Sequence, residues 1–179
     1  MGFVGLVTLI LATKPILLAQ PQLPKKPAHL TQNPAKSPLF QKVESYAAGK
    51  KWAGRSFVDN RKLWRFRTSQ AVESYRLEMD LHPTRDDKFV MVVLRLKPFS
   101  KPEKLSKDQL FRMFIESREF GTAHFAYNLD DARFEIRQPI WGADFGEASL
   151  QDAIKRLSGF ALATKATWDE ALWKPTTAR

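Results

Sequence analysis

The stretch Tyr75-Arg76-Leu77-Glu78-Met79-Asp80-Leu81, followed after a turn by Phe89-Val90-Met91-Val92-Val93-Leu94-Arg95-Leu96, decides the fold class. In the first run Tyr75, Leu77, Met79 and Leu81 alternate with Arg76, Glu78 and Asp80, a period of two that puts all four apolar groups on one strand face. The second run is apolar at both parities as far as Leu94, the pattern of a central strand covered on both sides. His82 to Asp87 supplies the turn between them, and Pro98 and Pro102 end the return strand. An antiparallel hairpin follows from this reading.

Upstream, Trp52–Val58 and Lys62–Thr68 read as two more strands joined at Asp59-Asn60, with Trp64 and Phe66 alternating against Arg65 and Arg67. Before them, Leu39, Phe40, Val43, Tyr46 and Ala47 fall at near-helical spacing, and Gly49 is expected to stop that helix in a left-handed cap. Downstream, Ser106-Lys107-Asp108-Gln109 matches a capping box and predicts a helix to about Ser117 that buries Leu110, Phe111, Phe114 and Ile115. A second hairpin is expected around Asp130-Asp131, from Phe125, Tyr127 and Leu129 on one strand to Phe134 and Ile136 on the next. The last helix is expected to start at Asp144-Phe145-Gly146-Glu147 or at Ser149, with Leu150, Ile154, Leu157, Ala161, Trp168 and Leu172 near one stripe and Pro175 closing it. Gly159 inside that stripe predicts a kink or close packing.

The expected domain spans residues 39–175 and is α+β: an antiparallel sheet flanked by helices in the order α-β-β-β-β-α-β-β-α. Ahead of it, residues 1–20 read as an apolar signal peptide or anchor, with Leu17 and Ala19 suited to a cleavage site but no Lys or Arg before the apolar run. Residues 21–38, with five prolines and Lys25, Lys26 and Lys36, read as an extended tether. Export to a periplasmic or extracellular location is the expectation, with membrane contact only through an uncleaved N-terminal segment.

The net charge of +10 is unevenly placed: residues 1–70 hold 12 Lys and Arg against Glu44 and Asp59, whereas residues 71–179 hold 17 of each sign. A nucleic-acid-binding fold usually carries its basic patch on the fold itself, so this distribution weighs against nucleic acid. The candidate partner-binding residues are Lys62, Trp64, Arg65 and Arg67, within a run of cations and aromatics that suits an acidic protein surface, anionic headgroups or stacked bases.

The residues for chemistry are poorly placed. Cysteine is absent, which excludes thiolate nucleophiles, disulfides and thiolate metal sites. No G-x-S-x-G elbow occurs, His29, His82 and His124 fall on dissimilar elements, and Asp86-Asp87 and Asp130-Asp131 sit where hairpins need turn formers. No catalytic, cofactor or metal role is expected for any residue.

From Leu105 to Trp173 the chain resembles the YbjN-like family and, more broadly, the type III secretion chaperone-like fold. The resemblance rests on Glu119-Phe120-Gly121-Thr122-Ala123-His124-Phe125-Ala126-Tyr127-Asn128-Leu129-Asp130-Asp131, then Arg133-Phe134-Glu135-Ile136, then a helix carrying Leu150, Ile154 and Leu157. It implies a non-enzymatic domain that binds a protein or peptide partner, with a homodimer among the arrangements it allows. The apolar N-terminus and the basic tether depart from the family pattern.

Overall fold

The computed structural model describes residues 33–98, 105–131 and 133–172. The expected export segment, most of the tether and Pro175 lie outside them. Helix α1, Pro38–Gly49, begins where the Ser37 hydroxyl accepts the Phe40 amide and proline occupies the first turn, whose N–H would have no helical partner in any case. The left-handed residue at its end is Lys51 (φ 52°) rather than Gly49, since Lys50 and Lys51 still donate to the last-turn carbonyls of Tyr46 and Ala48. Four strands follow: β1 Gly54–Val58, β2 Trp64–Val72, β3 Tyr75–Pro83 and β4 Phe89–Pro98. His82 therefore belongs to a strand, and the β3–β4 turn is shorter than its sequence suggests.

After β4 come α2 (Lys107–Glu119), β5 (His124–Asn128), β6 (Arg133–Trp141), α3 (Glu147–Ala163) and a single-turn α4 (Lys165–Trp168). The six strands form one antiparallel sheet in the order β1-β2-β3-β4-β6-β5, so β3 and β4 are central and β1 and β5 are edges. This is the expected α+β class with the expected element order. Helix α1 lies on β2 and β3, and α3 on β4 and β6.

The core sits between these helices and one sheet face. Leu77, Met79 and Leu81 of β3 and Val90, Val92 and Leu94 of β4 are buried there with Phe40 and Val43 of α1 and Leu150, Leu157 and Phe160 of α3. Burying one such side chain contributes about 1.5–3 kcal/mol, which is what holds two helices to the sheet. The final stripe is broken rather than continuous: α3 ends at Thr164, and α4 turns Trp168 inward, where its indole N–H donates to the Ala161 carbonyl at 2.8 Å. Leu172 is consequently exposed. Gly159 faces open space, with nothing within 4 Å of a Cβ placed there, so the close packing expected at that position is absent.

Candidate functional site

Helix α2 forms as its capping box dictates, with the Ser106 hydroxyl accepting the Gln109 amide at 3.2 Å and the Gln109 side chain accepting the Ser106 amide at 2.8 Å. Its burial is the opposite of the expected one. Only Met113 is buried, whereas Phe111, Phe114 and Ile115 are 70, 79 and 59% exposed and Leu110 is also open. Five of the six residues 110–115 are apolar, so they wrap more than half of the helix circumference and one docked face cannot take them all. That width was the available signal.

The docked side of α2 is fixed by a few specific contacts. The Ser117 hydroxyl donates to the Met113 carbonyl at 2.8 Å and accepts the Phe125 amide at 3.1 Å, which joins the helix to β5. Phe120, just past the helix, stacks on Phe160 with centroids 4.3 Å apart, and Phe125 meets the same ring edge-on at 4.8 Å. Thr167 reaches the Glu116 carboxylate at 3.4 Å, and burial pushes the Glu116 carboxyl upward against the opposing pull of that bond. Between α2 and β5 lies an apolar groove of about 180 Å³, walled by Leu110, Met113, Phe114, Phe125, Tyr127 and Phe134. Beside it, Leu129 at the β5–β6 turn is 82% exposed. An amphipathic surface of this kind, on an edge strand and a half-docked helix, suits the apolar face of another polypeptide.

The sheet face turned away from the core carries charge. Glu78, Arg95 and Glu135 stand in register across β3, β4 and β6, and Arg67 stands opposite Asp80. Opposite signs on neighbouring strands attract where like signs would repel. Arg95 bonds Glu78 at 2.8 Å and also Asp131; Arg67 makes two bonds to Asp80 at 2.6 and 2.8 Å; Arg137 bonds Glu135 at 2.7 Å. Asp80, Arg95 and Glu135 are nearly inaccessible to solvent. Val93, flanked in register by Asp80 and Arg137, is fully buried here without a helix above it. The stems of these long side chains supply the second cover expected for β4.

A polar cavity of about 300 Å³ opens on this face beside Arg65, Arg67, His82 and Arg137. Burial and the neighbouring Arg65 charge lower His82 to about 4, so its ring is neutral at ordinary pH. Among the described residues no cluster of three or more His, Asp or Glu is placed to hold a metal ion.

The four candidate residues do not share one surface. Lys62 is exposed in the β1–β2 turn with φ 59°. Arg65 and Arg67 lie on the charged sheet face, Arg65 held by Asp59 at 2.6 Å and Arg67 by Asp80. Burial pushes the Asp59 carboxyl up, but the Leu63 amide and Arg65 outweigh this and hold it below its ordinary value. Trp64 points to the other side, stacked on Phe40 at 5.7 Å, and its indole N–H donates to the Pro34 carbonyl at 2.6 Å. Stacking a base on Trp64 would require displacing residues that already cover it.

No family model matches the sequence, and neither does any curated protein. Among solved structures, the fold is similar to an uncharacterized protein from Methanothermobacter thermautotrophicus, with a TM-score of 0.52 and 11% identity over 75% of this chain and 99% of that one. It also aligns with a chain of the HopA1-SchA chaperone-effector complex (TM-score 0.47, 8% identity, 74% of this chain and 94% of that one) and with a chain of the ExsC-ExsE complex (0.46, 8%, 73% and 96%). What this chain shares with the archaeal protein is the α+β fold.

Proposed function

We propose that this chain is an exported, non-enzymatic protein-binding domain that receives an apolar segment of a partner polypeptide on α2 and β5. The observation that carries the reading is the exposure of Phe114 at the wall of a groove that the domain's own core leaves open, with Phe111 and Ile115 exposed on the same helix. Solvating three such side chains forgoes several kcal/mol of burial, a cost that a partner would recover on binding. The YbjN-like resemblance of Leu105–Trp173 agrees with this role. Export is inferred from the apolar run Phe3–Thr13. No helix among the described residues is long and apolar enough to cross a membrane.

The test is a photo-crosslinking side chain placed at position 114 of the full chain in its native host, with position 155 on the exposed side of α3 as control. A specific crosslinked protein at 114 and none at 155 supports the reading. A crosslink to a second copy, with a dimer mass in sedimentation, identifies the partner as the protein itself. The absence of any crosslink at 114 overturns the proposal.

A further inference from the structure

The segment Pro34-Ala35-Lys36-Ser37 enters α1 in extended form, with Ser37 at φ −68° and ψ 156°. Three elements converge on it. From β2, the Trp64 indole N–H donates to the Pro34 carbonyl at 2.6 Å. From α1, Glu44 meets the Lys36 ammonium with both carboxylate oxygens at 2.8 Å, and the Gln41 side chain donates to the Lys36 carbonyl at 3.2 Å. From β1, the Ser56 hydroxyl donates to Glu44 at 2.5 Å and holds that carboxylate in place. The ammonium also lies 4.8 Å from the Trp64 ring centroid and 5.9 Å from that of Phe40.

Each of these groups reads a separate feature of the segment. Two stacked aromatic faces and a carboxylate form a seat for a compact cation. The indole donor takes a main-chain carbonyl, and a proline two residues before the lysine fixes the extended backbone that presents both at once. Burial alone would push the Glu44 carboxyl up, yet the bonds from Lys36 and Ser56 hold it below its ordinary value, so the seat is charged at every ordinary pH. The same Pro-x-Lys spacing occurs twice more in the sequence, at Pro24-Lys25-Lys26 and at Pro102-Glu103-Lys104.

We propose that Phe40, Glu44 and Trp64 form a recognition notch for an extended Pro-x-Lys segment, filled in this chain by its own Pro34–Lys36. A covalently attached segment enjoys a high effective concentration, so a competing segment binds only when the resident one leaves. The notch thereby fixes the path of Pro34–Ser37 into α1 beside β1 and β2.

The experiment uses the full chain labelled at its tryptophan indoles, as wild type and as the double variant Pro34→Gly with Lys36→Gly. The probe is the capped peptide Asn-Pro-Ala-Lys-Ser, titrated to about millimolar concentration, the range in which short linkers act. The expected result is that the Trp64 indole N–H resonance of the double variant returns toward its wild-type position on titration, while wild type does not respond. A peptide with Gln for Lys should bind about tenfold more weakly, as should the Lys peptide to the double variant carrying Glu44→Gln. Unmoved Trp52 and Trp168 resonances verify the fold. No shift at Trp64, or equal binding of the Lys and Gln peptides, overturns the proposal and leaves the segment as a simple lead-in to α1.

Discussion

The Ser117 hydroxyl accepts the amide of Phe125 at 3.1 Å, eight residues away, and so ties the inner side of α2 to the first turn of the β5 edge. The bond makes the helix and the strand one unit beneath the apolar groove. Ser117→Ala should cost about 1 kcal/mol in urea denaturation. Amide exchange at Phe125 should accelerate while exchange in the central strands stays unchanged. Equal exchange at Phe125 in both proteins would show that the bond does not hold the edge.

Phe114 and Met113 are adjacent on α2 but opposite in environment, one mostly exposed and one buried. Phe114→Glu should leave stability within about 0.5 kcal/mol, whereas Met113→Glu should cost several kcal/mol by burying a carboxylate with no partner. Thermal melts of the two variants check the orientation of the helix directly. A large loss with Phe114→Glu would mean that α2 docks by its other side.

Arg95 is a buried cation answered by Glu78, Asp131 and Glu135 on three separate segments. Arg95→Met should cost about 3 kcal/mol because it takes a cation from the dry Glu135 carboxylate, while Glu78 and Asp131 stay open to water. Adding Glu135→Met to it should restore part of that loss, and the double-mutant cycle should report a coupling of about 1 kcal/mol or more. Strict additivity would mean that the two residues do not interact.

His82 should make the fold sensitive to acid. Its folded value of about 4 lies below the unfolded value near 6.5, so between these limits the unfolded chain binds more protons. Stability should therefore be complete above about pH 6.5 and decline toward pH 4, by up to about 1.4 kcal/mol per pH unit from this group. His82→Gln should flatten that part of the stability profile in chemical denaturation measured across pH. An unchanged slope would assign the acid sensitivity to the carboxylates of the sheet.

The element order was readable because β3 and β4 carry their pattern within single short runs, and because Ser106 and Gln109 satisfy their helix end locally. Periodicity also placed Arg65 and Arg67 opposite Trp64 and Phe66. It could not say whether anything covers the face it defines, which is why Phe111, Phe114 and Ile115 were expected inside. The pairing of Arg95 with Glu78 and Asp131 was hidden for another reason: equal charges in the last 109 residues look the same whether dispersed in water or matched across strands. Trp64 was a candidate partner-binding residue in the sequence, and its contact with Pro34 was hidden because Pro34 lies 30 residues upstream in a stretch whose composition suggested only a spacer.

The strand order has a consequence for how the chain acquires this structure during synthesis. β1 to β4 pair with their sequence neighbours and can form as soon as they emerge, but β4 receives its second neighbour from β6, whose first paired residue, Arg133, comes 35 residues after Pro98. Until then a growing polypeptide presents Val90, Val92 and Leu94 along an unsatisfied hydrogen-bonding edge, the kind of surface that captures other nascent strands. A delay after β4 has emerged and before β6 has would prolong that exposure, whereas a delay after Trp141 has emerged would not.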